Sequence, residues 1–217
     1  MNLLTIAPVI PVVVLDDPEH AAPLAQALLE GGIGVLELTL RTPAALRAIE
    51  IIATRVPEMT VGAGTVLTSR HATDAASAGA RFLVSPGSTN SLLDAMTETG
   101  LPILPGVATA SEILMLLERG MTRMKFFPAH SNGGVAALHA LSGPLPQVRF
   151  CPTGGIDAAT APDYLAVPTV DCVGGSWLTP AAVLHDRDWS RIRELAAAAS
   201  ALRPQQQRSP RTTRAAP

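Results

Sequence analysis

Eight short apolar runs alternate with eight longer amphipathic stretches along this 217-residue chain, and that alternation restricts its fold more than any other feature. The runs at residues 9–14, 35–40, 60–64, 81–85, 102–104, 123–127, 148–152 and 169–174 have strand length. Helical stretches at 18–30, 43–55, 69–78, 90–99, 111–119, 134–141 and 158–165 separate them, and a last one spans 189–202. Asp17-Pro18 and Thr42-Pro43 each set an N-cap residue before a proline suited to a first helical turn. Thr109-Ala-Ser-Glu112 has the spacing of a capping box. Gly79, Gly100, Gly120 and Gly143 each close a helical stretch, where a left-handed C-cap is expected. Their separations of 21, 20 and 23 residues fit one helix plus one strand per unit. Eight such units predict an α/β fold, a (β/α)8 TIM barrel forming a single domain over residues 1–202. A doubly wound open sheet is the alternative. It would be marked by glycines after the first strand, and Val14-Leu15-Asp16-Asp17-Pro18 has none.

Composition supports a large aliphatic core. Hydrophobic residues make up 47 % of the chain and aromatics only 3 %, so Ala, Val, Leu and Ile must fill the interior. The net charge of −2 conceals an uneven distribution. Residues 203–217 carry four arginines and no acid, whereas the preceding 202 residues carry twelve basic and eighteen acidic side chains. An acidic body of net −6 gives no reason to expect nucleic-acid binding. The segment 203–217 has no apolar periodicity and reads as a disordered extension. Two cysteines, Cys151 and Cys172, imply no disulfide framework. The start of the chain lacks a basic region before its apolar residues, and the run at 8–15 is too short to cross a bilayer. A cytoplasmic protein with no membrane partner is expected.

Lys125 is the only lysine, against fifteen arginines. It sits in an apolar run, Arg123-Met124-Lys125-Phe126-Phe127-Pro128, instead of on a polar helix face. Burial disfavours an ammonium, and imine chemistry uses a neutral, desolvated amine. Side chains alternate along strands, so Glu37, Thr39 and Arg41 share one face of their strand, opposite Leu36, Leu38 and Leu40. By the same parity Arg123, Lys125 and Phe127 share a face. Thr65 ends the strand 60–64 on its inner parity. Barrel active sites lie at the C-terminal strand ends, where Glu37, Arg41, Thr65 and Lys125 can converge. Each alone is equally explained as a structural ion pair or a solvated side chain; together, beside a solitary lysine, they indicate a site.

Two glycine pairs offer a second subsite. Thr153-Gly154-Gly155 follows the seventh strand, and Gly174-Gly175-Ser176 ends the eighth. Backbone N–H groups in such loops cradle phosphate, and phosphate sites in these barrels commonly follow strands seven and eight. No metal or cofactor is expected. His20, His71, His130, His139 and His185 show no ligand spacing. His130 stands where it could line the pocket mouth, without an evident catalytic role. Cys151 and Cys172 read as small buried hydrophobes.

These segments together resemble the 2-keto-3-deoxy-6-phosphogluconate and 4-hydroxy-2-oxoglutarate aldolase family. The matching pieces are Val35-Leu-Glu-Leu-Thr-Leu-Arg-Thr42, Val61-Gly-Ala-Gly-Thr-Val66, Ser85-Pro-Gly87, Lys125-Phe-Phe-Pro-Ala129, Asn132-Gly-Gly134, Arg149-Phe-Cys-Pro-Thr-Gly-Gly-Ile156 and Gly174-Gly-Ser-Trp-Leu178. The resemblance implies a metal-independent class I aldolase, with Lys125 as Schiff-base lysine and Glu37 as general acid/base. Arg41, Thr65, Pro86, Phe127 and Thr153 would line the pyruvyl pocket. Gly154, Gly155, Gly175 and Ser176 would hold the phosphate of a sugar-acid substrate. It also implies a homotrimer. Phosphorylated gluconate, its galactonate epimer and 4-hydroxy-2-oxoglutarate all remain open as substrates, and a non-catalytic sugar-phosphate-binding barrel is the reading from another class.

Overall fold

The computed structural model describes residues 3–202; the extension 203–217 lies outside the described residues. Parallel strands form a curled sheet with helices packed on it. The strands are β1 (Val9–Val13), β2 (Val35–Thr39), β3 (Thr60–Gly64), β4 (Leu83–Val84), β5 (Ile103–Leu104), β6 (Gly106–Val107), β7 (Arg123–Phe126), β8 (Arg149–Pro152) and β9 (Val173–Gly175). Six of them lie in the order β5-β4-β3-β2-β1-β9, and three in the order β6-β7-β8. β5 and β6 are two halves of one extended segment, split at Pro105. The first half pairs with β4 and the second with β7. A proline has no N–H to give to a ladder, but the Pro105 carbonyl still accepts from Lys125 N–H at 2.9 Å. At the other side, parallel bridges join Phe150 to Val170 and Thr153 to Gly174.

The helices are α1 (Ala21–Glu30), α2 (Ala45–Arg55), α3 (Ser69–Ser77), α4 (Asn90–Glu98), α5 (Ala110–Glu118), α6 (Gly134–Ser142), α7 (Ala161–Leu165), α8 (Ala181–His185) and α9 (Trp189–Ser200). The middle of the chain shows why the units repeat. Thr68, Thr89 and Thr109 each accept a first-turn N–H at the start of α3, α4 and α5. Gly79, Gly100 and Gly120 close the same helices with φ of 93°, 72° and 75°. At α5 the capping box is complete, since Glu112 Oε2 also accepts from the Thr109 N–H at 2.8 Å.

Several boundaries differ from the sequence reading. Gly143 ends α6 with φ −61°, so it is not a left-handed cap. Thr42 does not cap α2. That helix starts at Ala45 without a side-chain cap, because the Thr42 hydroxyl donates instead to the Leu15 carbonyl and ties the β2–α2 loop to the β1 loop. The first helical stretch divides into a single 3-10 turn, Pro18–His20, capped by Asp17, and then α1. α7 starts three residues late because the Asp157 carboxylate holds a tight turn through the Ala159 and Thr160 N–H groups. The short α8 lies between the last strand and the last helix, where the sequence reading assigned no element.

The core follows strand parity. Leu36 and Leu38 are fully buried on one face of β2, while Glu37 is buried on the other. On β7, Met124 and Phe126 are buried opposite Lys125, and Phe126 meets Phe150 edge-on at 6.1 Å. On the Glu37 side, glycine makes room for bulk: a Cβ on Gly62 would sit 2.4 Å from the Phe82 ring. The surface ion pairs Arg47–Glu50, Arg119–Asp94, Arg191–Glu194 and Arg193–Glu30 all use guanidinium. No helix among the described residues is long and apolar enough to cross a membrane.

Candidate active site

Lys125 and Glu37 come from strands far apart in sequence and meet inside the curl. Lys125 Nζ donates to Glu37 Oε1 at 2.9 Å and to Oε2 at 3.2 Å. Both residues are almost wholly buried, at 5 % and 3 % exposure. Two charges removed from water cost several kcal/mol each by general estimate (~several kcal/mol per ion) unless well paired, so this site is held at an energetic cost that the fold must offset. Gly64 secures the carboxylate. A Cβ there would lie 2.1 Å from Glu37 Oε1 and 2.5 Å from its Cγ, so glycine is what lets Glu37 lie flat across β3. The Phe127 ring centre stands 5.3 Å from Lys125 Nζ, within reach of a cation–π contact.

Arg41 and Thr65 meet just past the ends of β2 and β3, with Arg41 exposed and Thr65 half-buried. Leu40 N–H donates to the Gly64 carbonyl at 2.8 Å, which extends the β2–β3 ladder beyond the strand ends. Arg41 Nε then donates to Thr65 Oγ1 at 3.3 Å. Thr65 has φ 58°, a left-handed conformation unusual for a β-branched residue. Such outliers cluster at functional sites, and this one turns the hydroxyl towards the guanidinium. Thr39, which shares the parity of Glu37, is engaged elsewhere: its hydroxyl donates to the Val13 carbonyl at 2.9 Å. Pro86 follows β4, and its carbonyl group packs against Gly106, the residue paired with Lys125 across the ladder.

The glycine loops form a neighbouring group. Thr153 is buried, and its Oγ1 fills the space over Gly174, where a Cβ would come within 2.2 Å. Gly154 has φ 103°, and a Cβ on it would meet Pro128 at 3.3 Å and the Phe127 ring at 3.4 Å, so this loop abuts the Lys125 pocket. Two bonds lock the loop to the segment after β7: Ala129 N–H to the Thr153 carbonyl at 2.8 Å and His130 N–H to the Gly154 carbonyl at 3.0 Å. The N–H groups of Gly155, Ile156 and Ser176 have no protein acceptor among the described residues. Ser176 is exposed just past β9. The sequence reading missed Trp177, whose indole occupies the space over Gly175: a Cβ there would be 1.7 Å from the ring. A tryptophan two residues after a Gly-Gly pair was the available signal. Among the described residues no group of three or more His, Cys, Asp or Glu side chains could hold a metal ion.

A desolvated amine, a carboxylate touching it, and an arginine–threonine pair just past the ends of β2 and β3 can form an imine on a 2-oxo acid and move protons around it. Carried at the C-terminal ends of parallel strands, this defines a parallel α/β protein with a buried lysine–carboxylate site suited to imine chemistry. Comparison with known proteins agrees. The family model for KDPG and KHG aldolases matches residues 1–195. The KHG/KDPG aldolase of Escherichia coli K12 is 52 % identical over 195 residues, covering 90 % of this chain and 92 % of that protein. A solved structure of KDPG aldolase from Legionella pneumophila, with pyruvate captured as a covalent carbinolamine intermediate, superposes with TM-score 0.89. It is 48 % identical and covers 91 % of this chain and 96 % of its own. The 2-keto-3-deoxy-6-phosphogluconate aldolase of Zymomonas mobilis with 3-phosphoglycerate gives TM-score 0.89 at 46 % identity, covering 93 % and 95 %. The chain belongs to the KDPG and KHG aldolase family.

Proposed function

We propose that this protein cleaves 2-dehydro-3-deoxy-6-phosphogluconate into pyruvate and D-glyceraldehyde 3-phosphate through an imine on Lys125. The observation that carries this reading is the buried contact of Lys125 Nζ with the Glu37 carboxylate. The amine adds to the C2 ketone to give a carbinolamine, which loses water to a protonated imine. Glu37 takes the proton of the C4 hydroxyl as the C3–C4 bond breaks. The electron pair of that bond moves into the imine to form an enamine, and the aldehyde departs. A proton returned to C3 restores the imine, and water releases pyruvate and the free amine. Positioned proton transfer of this kind contributes about 10²–10⁴-fold.

In this reading Arg41 and Thr65 hold the pyruvyl carboxylate, since the guanidinium fork matches its two oxygens. Pro86, Phe127 and Thr153 shape the pocket around them. The N–H groups around Gly154, Gly155 and Gly175, together with the N–H and hydroxyl of Ser176, hold the phosphate. The same chemistry on 4-hydroxy-2-oxoglutarate is the second reading, favoured by the name of the Escherichia coli relative; the galactonate epimer would use the same residues. We further propose that residues 1–202 form one domain whose two strand groups close as an eight-stranded (β/α)8 barrel, and that the protein works as a cytoplasmic homotrimer.

The test is borohydride reduction in the presence of pyruvate, followed by intact mass. One pyruvyl adduct per chain, absent in Lys125→Arg, is the expected outcome. No adduct at saturating pyruvate would refute the imine and leave a sugar-phosphate-binding barrel.

A further inference from the structure

A cavity of about 370 Å³ opens between the first turns of α6 and α7, bordered on one side by the exposed His130. That lies within the ~300–1,000 Å³ range of small-ligand pockets. α6 starts on Gly133, with φ 92° and no side-chain cap. Gly134 N–H donates to the Ala129 carbonyl at 2.9 Å, and Ala137 N–H to the Gly133 carbonyl at 3.2 Å. The N–H groups of Val135 and Ala136 in between have no acceptor upstream in the helix. They point out of the positive end of the helix dipole.

Tyr164 makes this more than an ordinary helix start. Its side chain belongs to a residue only 3 % exposed, yet its hydroxyl has no hydrogen-bond partner among the described residues. The Oη lies 3.1 Å from the position a Cβ on Gly134 would take, so it is aimed at the first turn of α6. The ring is packed away while the hydroxyl oxygen itself opens onto the cavity that Tyr164 lines, where an occupant can meet it. Burial pushes the Tyr164 phenol above its ordinary range, which keeps it a neutral donor. The carboxylate in the same cavity is Asp163; nearby Asp157 is committed to the Ala159 and Thr160 N–H groups and the Thr160 hydroxyl.

We propose that this crevice is a second anion site, separate from the catalytic pocket, built for a phosphate that keeps one P–OH. The phosphate oxygens accept from the Val135 and Ala136 N–H groups and from Tyr164 Oη. The P–OH donates to Asp163. Sulfate offers the same oxygens without a proton to donate, so it meets the carboxylate as a repelling charge. His130 lies between the two sites, its Cβ 2.5 Å from where a Cβ on Gly155 would be. An occupant would therefore stand behind the glycine loop of the catalytic pocket. The proposal does not depend on the aldolase reading.

Titration of the ¹⁵N-labelled full chain with inorganic phosphate at mildly acidic pH separates the two sites, because each is reported by its own amides. The Val135 and Ala136 resonances should move and saturate. In Tyr164→Phe their affinity should fall by ~10-fold or more, the loss of a hydrogen bond to a charged group, while shifts at Gly155 and Ser176 stay as in the parent chain. Sulfate should bind this crevice at least ~10-fold more weakly than phosphate, a gap that Asp163→Asn should narrow. Val135→Pro, which removes one donor at a position in the first turn that tolerates proline, should also weaken binding. Unsaturable shifts that are the same in Tyr164→Phe would mean an adventitious ion only and overturn the proposal. Shifts that track Gly155 with a single affinity, or no shift at Val135 and Ala136, would overturn it as well.

Discussion

Replacing Glu37 with glutamine should separate the catalytic part of the buried pair from its structural part. The side chain keeps its shape, so it still lies over Gly64, and its amide oxygen can still accept from Lys125. What is lost is charge. Hydrogen bonds to charged groups are worth about 1.5–3 kcal/mol and neutral ones about 0.5–1.5 kcal/mol, so the substitution should cost about 1–2 kcal/mol of stability. Glu37→Ala should cost about 3–5 kcal/mol, because it removes one partner of a buried pair and leaves the Lys125 amine with nothing to bond to. Turnover should fall much further than stability. Losing the proton acceptor for the C4 hydroxyl removes about 10²–10⁴-fold in kcat, or about 2.7–5.4 kcal/mol of transition-state stabilisation. Pyruvate should still be trapped on Lys125 by borohydride, because that experiment stops at the imine. Urea denaturation, steady-state cleavage assays and trapping on the same preparation measure all three quantities. A glutamine variant that turns over within about threefold of the parent would refute the assignment of Glu37 as the acid/base.

Gly64→Ala should damage the same step from the neighbouring strand. A methyl group 2.1 Å from Glu37 Oε1 must displace the carboxylate, with an overpacking cost of about 1–3 kcal/mol and a fall in kcat approaching that of Glu37→Gln; unchanged kcat would show that the carboxylate position is not critical. Ser176→Ala should raise KM for a phosphorylated substrate by ~10–150-fold, the worth of one hydrogen bond to a charged group, and leave an unphosphorylated 2-oxo acid untouched; equal effects on both would exclude Ser176 from the phosphate subsite. The α5 cap should respond to acid. Burial alone would raise the Glu112 carboxyl, but the Ala108 N–H, the Thr109 hydroxyl and the Thr109 N–H outweigh it and hold the group below its ordinary range. Its contribution is therefore complete above the ordinary glutamate range and lost as pH falls through the lowered value. The protection of first-turn amides of α5, taken relative to the intrinsic exchange rate at each pH, should drop on acidification in the parent chain and show no such step in Glu112→Gln.

Much of this arrangement could be read from residue order. Alternating runs locate the parallel strands, and strand parity places Glu37 and Lys125 on inward faces, because neither inference needs more than a period of two and a chain that returns. What parity leaves open is which groups are already engaged. Thr39 has the same parity as Glu37 but donates to a carbonyl of β1, and Thr42 looks like a helix cap but holds a neighbouring loop. In both cases the acceptor is supplied by a segment more than twenty residues away, which local pattern does not specify. The split between β5 and β6 escaped notice because Pro105 interrupts a ladder whose two halves have different partners. The positive φ of Thr65 could not be anticipated, since nothing about threonine favours it. The Trp177 indole over Gly175 turns one of the expected phosphate glycines into a packing requirement as well.

The use of arginine for the surface ion pairs has a chemical consequence. Aldehydes and ketones condense with primary amines, whereas a guanidinium stays protonated and is a poor partner for simple carbonyls. A protein that releases a reactive aldehyde beside itself is exposed to it at high local concentration. With its one lysine enclosed at the strand ends, this chain offers that aldehyde almost no side chain to condense with outside the pocket. Self-inactivation by its own product would therefore be confined to the residue that turnover itself keeps clearing.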